Sequence, residues 1–482
     1  MKLCLFCDLH LSQYRNTAQY DVLKWILDTV RENDFDAVLY AGDVTADGDA
    51  KVYREFVETM EKLPVPFLWV PGNSDMRTPE TVRELHTCCS PLKTRVGEKM
   101  ILAVNDADGT ISDEAYEALS QADDTAVVFM HHPAYALRPE HREKMERWSK
   151  AHPEVTLFVG HKHLSKNEGN VHWLQAADPD KAIGEPPCIA VFDTETKTLE
   201  KRFYPFSMPQ DVYDYFGISC YDPMKQIDFA IEKGLRCIEL RPNFITLDQT
   251  QLKAKIDCWR KQGGENLSVH LPDVAWEDGT VVSPNYAETL EKAKALGTNR
   301  FTQHVPQVSV REATAAVLKM IADFIAAHFS KMPESCVIGV ENMHMRKGKD
   351  LPDDSRRYGY LPQETLEFMQ LVRQRCRQKV GINLDIGHAR NNMPFSQTYP
   401  VGVWYGLVGQ EIVGYHIHQV TNTEKGMENH VAITDIFGPM ISLASLLESW
   451  EKGRVNHAPF IFEMRPEGAY EATLETFANY RK

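Results

Sequence analysis

Five short motifs in the N-terminal part of the chain carry residues that can hold cations. They are Asp8-Leu9-His10, Gly42-Asp43, Gly72-Asn73-Ser74-Asp75, His131-His132-Pro133 and Gly160-His161-Lys162-His163. Each follows an apolar run: Leu3–Cys7, Ala37–Tyr40, Phe67–Val70, Ala126–Met130 and Thr156–Val159. In an open α/β sheet, residues just past the carboxyl ends of the strands gather along one edge. Aspartate, asparagine and histidine collected there make a mixed nitrogen–oxygen set that suits borderline divalent metals such as Mn, Fe or Zn. A carboxylate shared by two cations also offsets their repulsion. One histidine at a strand end reads as a hydrogen-bonded core residue; several in this order read as a metal site.

A second series lies in the C-terminal part. It comprises His270 in Ser-Val-His-Leu-Pro, His304 in Thr-Gln-His-Val-Pro, Glu341 in Gly-Val-Glu-Asn, and Asp385 with His388 in Leu-Asp-Ile-Gly-His. It continues with His416 and His418 in Tyr-His-Ile-His-Gln, Glu428 and His430 in Met-Glu-Asn-His, and Glu463 in Phe-Glu-Met-Arg. Most stand in the last third of an apolar run. Carboxylates and imidazoles converging there suit one or more divalent metals such as Mn, Zn or Co.

The elements that must position these residues are legible as periodicity. Helical patterns at Tyr20–Glu32 and Lys51–Leu63 separate the early apolar runs, which argues α/β layers. Tyr204–Asp211 holds two prolines and reads as a linker. Beyond it, strand candidates stand at Gly217–Cys220, Cys237–Arg241, Leu267–Leu271, Phe301–Val305, Val337–Glu341, Gly381–Asp385, Gly414–His418 and Phe460–Met464. Helical stretches such as Met224–Lys233 and Ala313–Phe329 separate most of them. Eight strands alternating with helices is the pattern of a (β/α)8 barrel, whose C-terminal face builds active sites. The expected fold class is therefore α/β. An N-terminal α/β sandwich spans 1–205, and a C-terminal (β/α)8 TIM barrel spans 212–482.

The five-block order in residues 1–205 resembles the calcineurin-like metallophosphoesterases. The resemblance implies two divalent metals. Asp8, His10 and His163 would hold one and Asn73, His131 and His161 the other, with Asp43 bridging and Asn73 also meeting substrate. It implies hydrolysis of phosphate mono- or diesters by a hydroxide shared between the metals, attacking phosphorus in line with the leaving oxygen. Many family members carry histidine directly after the asparagine, where it can protonate the leaving group. Ser74, a poor acid, stands there in this chain, so either the leaving group is a good one or another acid serves; His132 is the candidate catalytic acid, with a packed structural histidine as the alternative.

The barrel segment looks like the xylose-isomerase-like superfamily of sugar isomerases, epimerases and endonuclease IV. By that resemblance Glu341, Asp385, His416 and Glu463 are metal ligands. Glu341 and Glu463 also move protons beside a carbonyl, and His388, with His270 and His304, binds substrate. Matched to endonuclease IV instead, His270, His304, His388, Glu428 and His430 become further ligands. Glu428 stands where that family has aspartate, and its spacing from His416 is one residue short.

Charge and composition narrow the function classes. The formal net charge is −15. Residues 1–208 hold 23 basic against 34 acidic residues, and the remainder 30 against 34. Neither half has the basic excess of a general nucleic-acid binder, so no nucleic-acid partner is expected. A basic cluster, Arg346, Lys347, Lys349, Arg356 and Arg357, follows the fifth barrel strand, where it could meet a phosphate group. No apolar stretch reaches membrane-spanning length, and the N-terminus does not read as a secretory signal. The expectation is a cytoplasmic protein without a membrane partner. Cys4 and Cys7 form a C-x-x-C, but on one strand they point to opposite faces, so the ten cysteines read mainly as small buried hydrophobes. The reading that absorbs most of these features is a phosphoesterase fused to a metal-dependent sugar-isomerase-like barrel, acting on a small phosphorylated or sugar-derived compound. A nucleic-acid-processing enzyme and a metal-stabilised scaffold are the alternatives.

Overall fold

The computed structural model describes residues 1–88, 90–346, 349–424 and 426–481. Lys347 of the basic cluster lies outside them. The chain forms two compact units, Met1–Ser207 with Ile436–Ser445, and Met208–Asp435 with Leu446–Lys482. The expected pairing of an α/β sandwich with a (β/α)8 barrel is what the structure shows.

The strands of the first unit are β1 (Lys2–Phe6), β2 (Ala37–Ala41), β3 (Phe67–Val70), β4 (Lys93–Val96), β5 (Lys99–Ala103) and β6 (Val127–Met130). They continue with β7 (Thr156–Val159), β8 (Lys166–Glu168), β9 (Val171–Trp173), β10 (Cys188–Asp193) and β11 (Thr198–Phe203). Among the described residues they form two sheets, ordered β11-β10-β1-β2-β3 and β4-β5-β6-β7-β9-β8. Strands β1, β2 and β3 run parallel, as do β5, β6, β7 and β9.

Alternation along β1 shows why its run is continuously apolar. Leu3 and Leu5 face the second sheet and pack with Ile101, Val127 and Phe129. Cys4 and Phe6 face the helices Ala18–Arg31 and Ala50–Met60, against Val22, Ile26, Val52 and Phe56. The second sheet repeats the scheme: Val128, Met130, Leu157 and Val159 pack on Ala115, Leu119, Met145 and Trp148 of the helices Asp113–Ser120 and Pro139–Ala151. Strands covered on both faces need no polar alternation. Asp49 caps the second helix, its side chain accepting from the backbone N–H groups of Lys51 and Val52, which offsets two donors that a helix start leaves free.

The second unit contains β12 (Phe216–Cys220), β13 (Cys237–Leu240), β14 (Asn266–His270), β15 (Ala275–Glu277), β16 (Thr280–Val282) and β17 (Arg300–His304). It continues with β18 (Val337–Glu341), β19 (Lys379–Asp385), β20 (Ile412–Ile417), β21 (Gln419–Thr423), β22 (Gly426–Val431) and β23 (Phe460–Phe462). The barrel closes in the order β12-β13-β14-β17-β18-β19-β20-β23, with β23 pairing in parallel with β12. The hairpins β15–β16 and β21–β22 are additions beyond the C-terminal ends of β14 and β20. Register sets ligands side by side: His304 is paired with Glu341, and Asp385 with His416. No helix among the described residues is long and apolar enough to cross a membrane.

Candidate metal centres

In the first unit, the loops that leave β1, β2, β3, β6 and β7 bring the sequence-derived residues together. Asp8, His10, Asp43, His161 and His163 all adopt positive φ, between 47° and 73°. Left-handed backbone is uncommon for residues other than glycine, and such strain collects at functional sites. The close approach of two loops explains one glycine: a Cβ on Gly72 would stand 2.2 Å from Asp43 Oδ1. Asp75 ties the same loops, accepting from the backbone of Val44, Thr45 and Gly72.

Asp43 lies between two groups of donors. His10 Nε2 is 3.2 Å from its Oδ2, and His131 Nε2 is 3.5 Å from its Oδ1. On one side Asp8, His10 and His163 have ligand atoms within 4.8 Å of one another, with His163 Nε2 3.5 Å from Asp8 Oδ1. On the other, Asn73 Oδ1 is 3.2 Å from His131 Nε2 and 2.9 Å from His161 Nδ1. His132 joins His131 and His161 in a third ligand-spaced group. His131 Nδ1 donates to the Ala41 carbonyl at 2.9 Å, and His132 Nδ1 to the Asp106 carbonyl at 3.0 Å. A carbonyl only accepts, so these bonds put a proton on each Nδ1 and leave each Nε2 to serve the site. Ser74 is fully buried, and its hydroxyl donates to the Thr45 carbonyl at 2.6 Å.

The electrostatics are those of a site short of positive charge. Burial disfavours the charged form of Asp8, yet the nearby His163 and the charge of His131 outweigh it and hold the carboxyl well below its usual range. Burial also opposes charge on His131, but Asp43 and Asp8 raise it to about 9. His161 goes the other way, lowered to about 4 by burial and by His131 and His132. Asp8 Oδ1 is buried with no hydrogen-bond partner. An ionised oxygen left so is costly unless a cation meets it.

The barrel mouth gathers a second cluster. Glu341, Asp385, His416 and Glu463 are all buried, with ligand atoms within 4.8 Å of one another. His416 Nδ1 is 3.1 Å from Glu341 Oε2 and 2.9 Å from Glu463 Oε2. His270 and His304, expected on the substrate side, form a further ligand-spaced group with Glu341. Their Nε2 atoms stand 3.5 and 3.6 Å from the Glu341 oxygens. His388 Nδ1 contacts the Asn342 carbonyl at 2.9 Å and lies 3.5 Å from Glu341 Oε1. His430 Nδ1 contacts the Glu463 carbonyl at 3.1 Å, and Glu428 lines the mouth. Both Glu341 oxygens are buried without hydrogen-bond partners. Burial works against charge on His416, but Glu239, Glu341 and Glu463 together push it well above the usual imidazole range.

The Leu-Asp-Ile-Gly-His block has a local cause. Asp385 ends β19 and accepts from the His388 backbone N–H at 2.7 Å, which turns the short helix Ile386–Arg390 back over the barrel. A Cβ on Gly387 would stand 2.0 Å from His418 Cε1, so the glycine admits that ring. The mouth is a cavity of about 800 Å³ that also holds Arg241, His344 and Arg465.

Residues 1–165 match the family model of the calcineurin-like phosphoesterases. The chain is 26% identical over 84 residues to the 3',5'-cyclic adenosine monophosphate phosphodiesterase CpdA of Escherichia coli (strain K12), a match covering 16% of this chain and 30% of that protein. A cyclic nucleotide phosphodiesterase named as probable in Xenorhabdus bovienii is 27% identical over 85 residues, covering 16% of this chain and 34% of that one. The chain thus spans about a third of the length of the curated relatives it matches. Among solved structures, 3-keto-D-glucoside 4-epimerase YcjR of E. coli is 13% identical with a TM-score of 0.37, covering 55% of this chain and 98% of that one. An archaeal phosphodiesterase is 14% identical with a TM-score of 0.26, covering 42% and 100%.

The first unit therefore carries a calcineurin-like phosphoesterase domain, and divalent metals are what that family implies. The residues present fit such ions: Asp8 Oδ1 is buried without a hydrogen-bond partner beside His163, and His131 and His132 are each held at Nδ1 by a backbone carbonyl. Sequence reasoning missed the carboxylates behind the histidines. Asp178 Oδ2 is 3.3 Å from His10 Nδ1, and Asp106 accepts from the backbones of His131 and His132. In the barrel, Glu239 Oε1 is 2.9 Å from His416 Nε2, and Asp273 Oδ1 is 2.6 Å from His304 Nδ1. Asp106 did carry a signal, since it closes the apolar run Met100–Val104 as the other motifs close theirs. Glu239 carried one too: it is an acid inside the strand run Cys-Ile-Glu-Leu.

Proposed function

We propose that the first unit hydrolyses phosphate mono- or diesters with two divalent metals, Mn, Fe or Zn. Asp8, His10 and His163 would hold one, and Asn73, His131 and His161 the other, with Asp43 shared. The observation that carries this reading is the position of Asp43, with an imidazole Nε2 on each carboxylate oxygen. Bound metals would supply activation of water and neutralisation of charge on the phosphoryl oxygens. The chain's own part is to fix geometry. Asp178 orients His10, the Ala41 carbonyl orients His131, and the Asp106 carbonyl orients His132. The E. coli relative, a phosphodiesterase by name, supports an ester of phosphate as the bond cleaved. Replacing Asp43 by asparagine should lower turnover of an aryl phosphate ester by at least ~100-fold and reduce bound metal. Full activity in that variant, still folded, would remove the assignment.

For the barrel we propose metal-dependent chemistry on a small phosphorylated or sugar-derived compound, with Glu341, Asp385, His416 and Glu463 as ligands to Mn, Zn or Co. In an isomerase or epimerase, Glu341 and Glu463 would exchange protons with carbons beside a carbonyl. One observation favours the second reading, cleavage of a phosphate ester as in endonuclease IV. His270 and His304 extend the cluster around Glu341, while Glu463 is held by Arg241 at 2.9 Å and Tyr221 at 2.9 Å. A carboxylate fixed by a guanidinium is a poor mobile base and a good fixed ligand. One metal per barrel speaks for the isomerase; two or three speak for the esterase.

A further inference from the structure

Residues Ile436–Ser445 follow β22 in the sequence yet belong to the first unit. There they meet the segment Asp178–Gly184. The Ser445 hydroxyl donates to Asp180 Oδ1, across a separation of 265 residues, and the Phe437 carbonyl accepts from the Gly184 N–H at 2.8 Å. Asp178–Gly184 in turn touches every residue of one candidate ligand set. The Asp178 N–H donates to the Asp8 carbonyl at 3.0 Å, Asp178 Oδ2 stands 3.3 Å from His10 Nδ1, and the Ile183 N–H donates to the His163 carbonyl at 3.0 Å. The Asp178 carboxylate is held from behind: its Oδ1 accepts from the Asp180 N–H at 2.9 Å and from Gln19 Nε2 at 2.8 Å. Gln19 Nε2 also donates to Asp180 Oδ2 at 2.8 Å, so its two hydrogens span the two acids. Ser445, Gln19 and Asp178 are all buried. In the other ligand set, His131 is anchored on the Ala41 carbonyl instead.

We propose that Ser445 is a positioning residue for the metal held by Asp8, His10 and His163, acting through Asp180 and Gln19 on Asp178 and so on His10. The inference rests on the phosphoesterase reading and names a residue that tunes one of its two metals. Asp180 offers one carboxylate oxygen to Ser445 and the other to Gln19. Without the Ser445 hydroxyl, that carboxylate can turn, and the Gln19 amide that spans both acids loses one of its fixed acceptors. The acid behind His10 is then less firmly placed. Chains of buried hydrogen bonds behave as units, so a change at one end reaches the other. A partner directly behind a metal ligand commonly contributes ~10–100-fold to affinity, and Ser445 stands further back, so its share is about threefold to tenfold. The ligand set of the first unit is thereby completed by a segment that the chain supplies only after most of the barrel strands.

The test is a Mn titration of the metal-depleted full-length protein, read as Mn bound per chain, in the native form and as Ser445→Ala, with a thermal melt as the fold control. One ion should bind about threefold to tenfold more weakly in the variant, and the others should stay within about twofold of native. Asp180→Asn reaches the same relay from its other side; it should weaken one ion in the same way, and it carries the test if Ser445→Ala unfolds. In an Asp178→Asn background, Ser445→Ala should add little, because the relay it acts through is already broken. Unchanged Mn binding in folded Ser445→Ala would overturn the proposal. So would an equal weakening of every ion, or a loss that persists in full in the Asp178→Asn background. Failure of the phosphoesterase reading would show separately, as absence of turnover of any phosphate ester with Mn, Fe or Zn, while the Mn titration still reads the relay.

Discussion

Asp178 and Glu239 each stand beside a candidate ligand, 3.3 Å from His10 and 2.9 Å from His416. Asp178 also accepts from Gln19 Nε2 at 2.8 Å, and Glu239 accepts from the hydroxyls of Ser268 and Thr302 at 3.1 and 2.6 Å. Each acid is thereby fixed before it orients the imidazole. Partners of this kind commonly contribute ~10–100-fold to metal affinity. Asp178→Asn is therefore expected to weaken Mn or Zn binding by about that factor while the protein stays folded, as read by metal titration with a thermal melt as control. Unchanged affinity would leave Asp178 as a core residue only. Ser74 also matters at this scale. Its hydroxyl is spent on Thr45, which leaves the position after Asn73 without a proton donor. Turnover of a series of aryl phosphates should fall steeply as leaving-group pKa rises. A flat series with chemistry rate-limiting would mean that another acid, with His132 first in line, fully covers the step.

Loops set the precision of both centres. Gly72 admits Asp43 only because it lacks a side chain, so Gly72→Ala should displace that carboxylate and cost at least ~10-fold in turnover, with most of the stability retained. Recovery of the native rate would show that the two loops can separate without harm. The segment after β18 is tied by Asp350, which accepts from the Arg346 backbone at 2.7 Å, the Arg346 guanidinium at 2.9 Å and the Tyr360 hydroxyl at 2.6 Å. Burial opposes charge on Asp350, but the Arg346 and Tyr360 hydrogen bonds prevail and lower it to about 2. A carboxyl whose folded pKa is depressed contributes stability above its unfolded pKa of about 3.9, and that contribution fades as pH falls toward the folded value. Asp350→Asn should therefore destabilise the protein by ~1–2 kcal/mol at pH 7, and the difference from native should shrink below about pH 4 in denaturant melts. A difference independent of pH would assign the loss to packing instead.

At the scale of the molecule, two units with their own candidate centres predict separable losses. Glu463→Gln should lower the metal held per chain while aryl phosphate turnover stays within about twofold of native. Joint loss in a folded variant would point to one composite activity. Much of this architecture was legible in the sequence. The runs Leu3–Cys7 and Val337–Glu341 declare buried strands, and the polar residues that end them declare candidate ligands, because burial on both faces and residue type are both written locally. Short edges such as β8 and β11, and the hairpins β15–β16 and β21–β22, were not legible, since they are half-exposed and carry little apolar period. The sequence by itself determined the fold class, the order of the candidate ligands and their chemical type. Only the tertiary structure decided which carboxylate stands behind which histidine, that His270 and His304 turn toward Glu341, that residues 436–445 group with the first unit, and that Ser445 meets Asp180. These depend on which groups meet across space after the chain has closed, and no spacing along one chain specifies that.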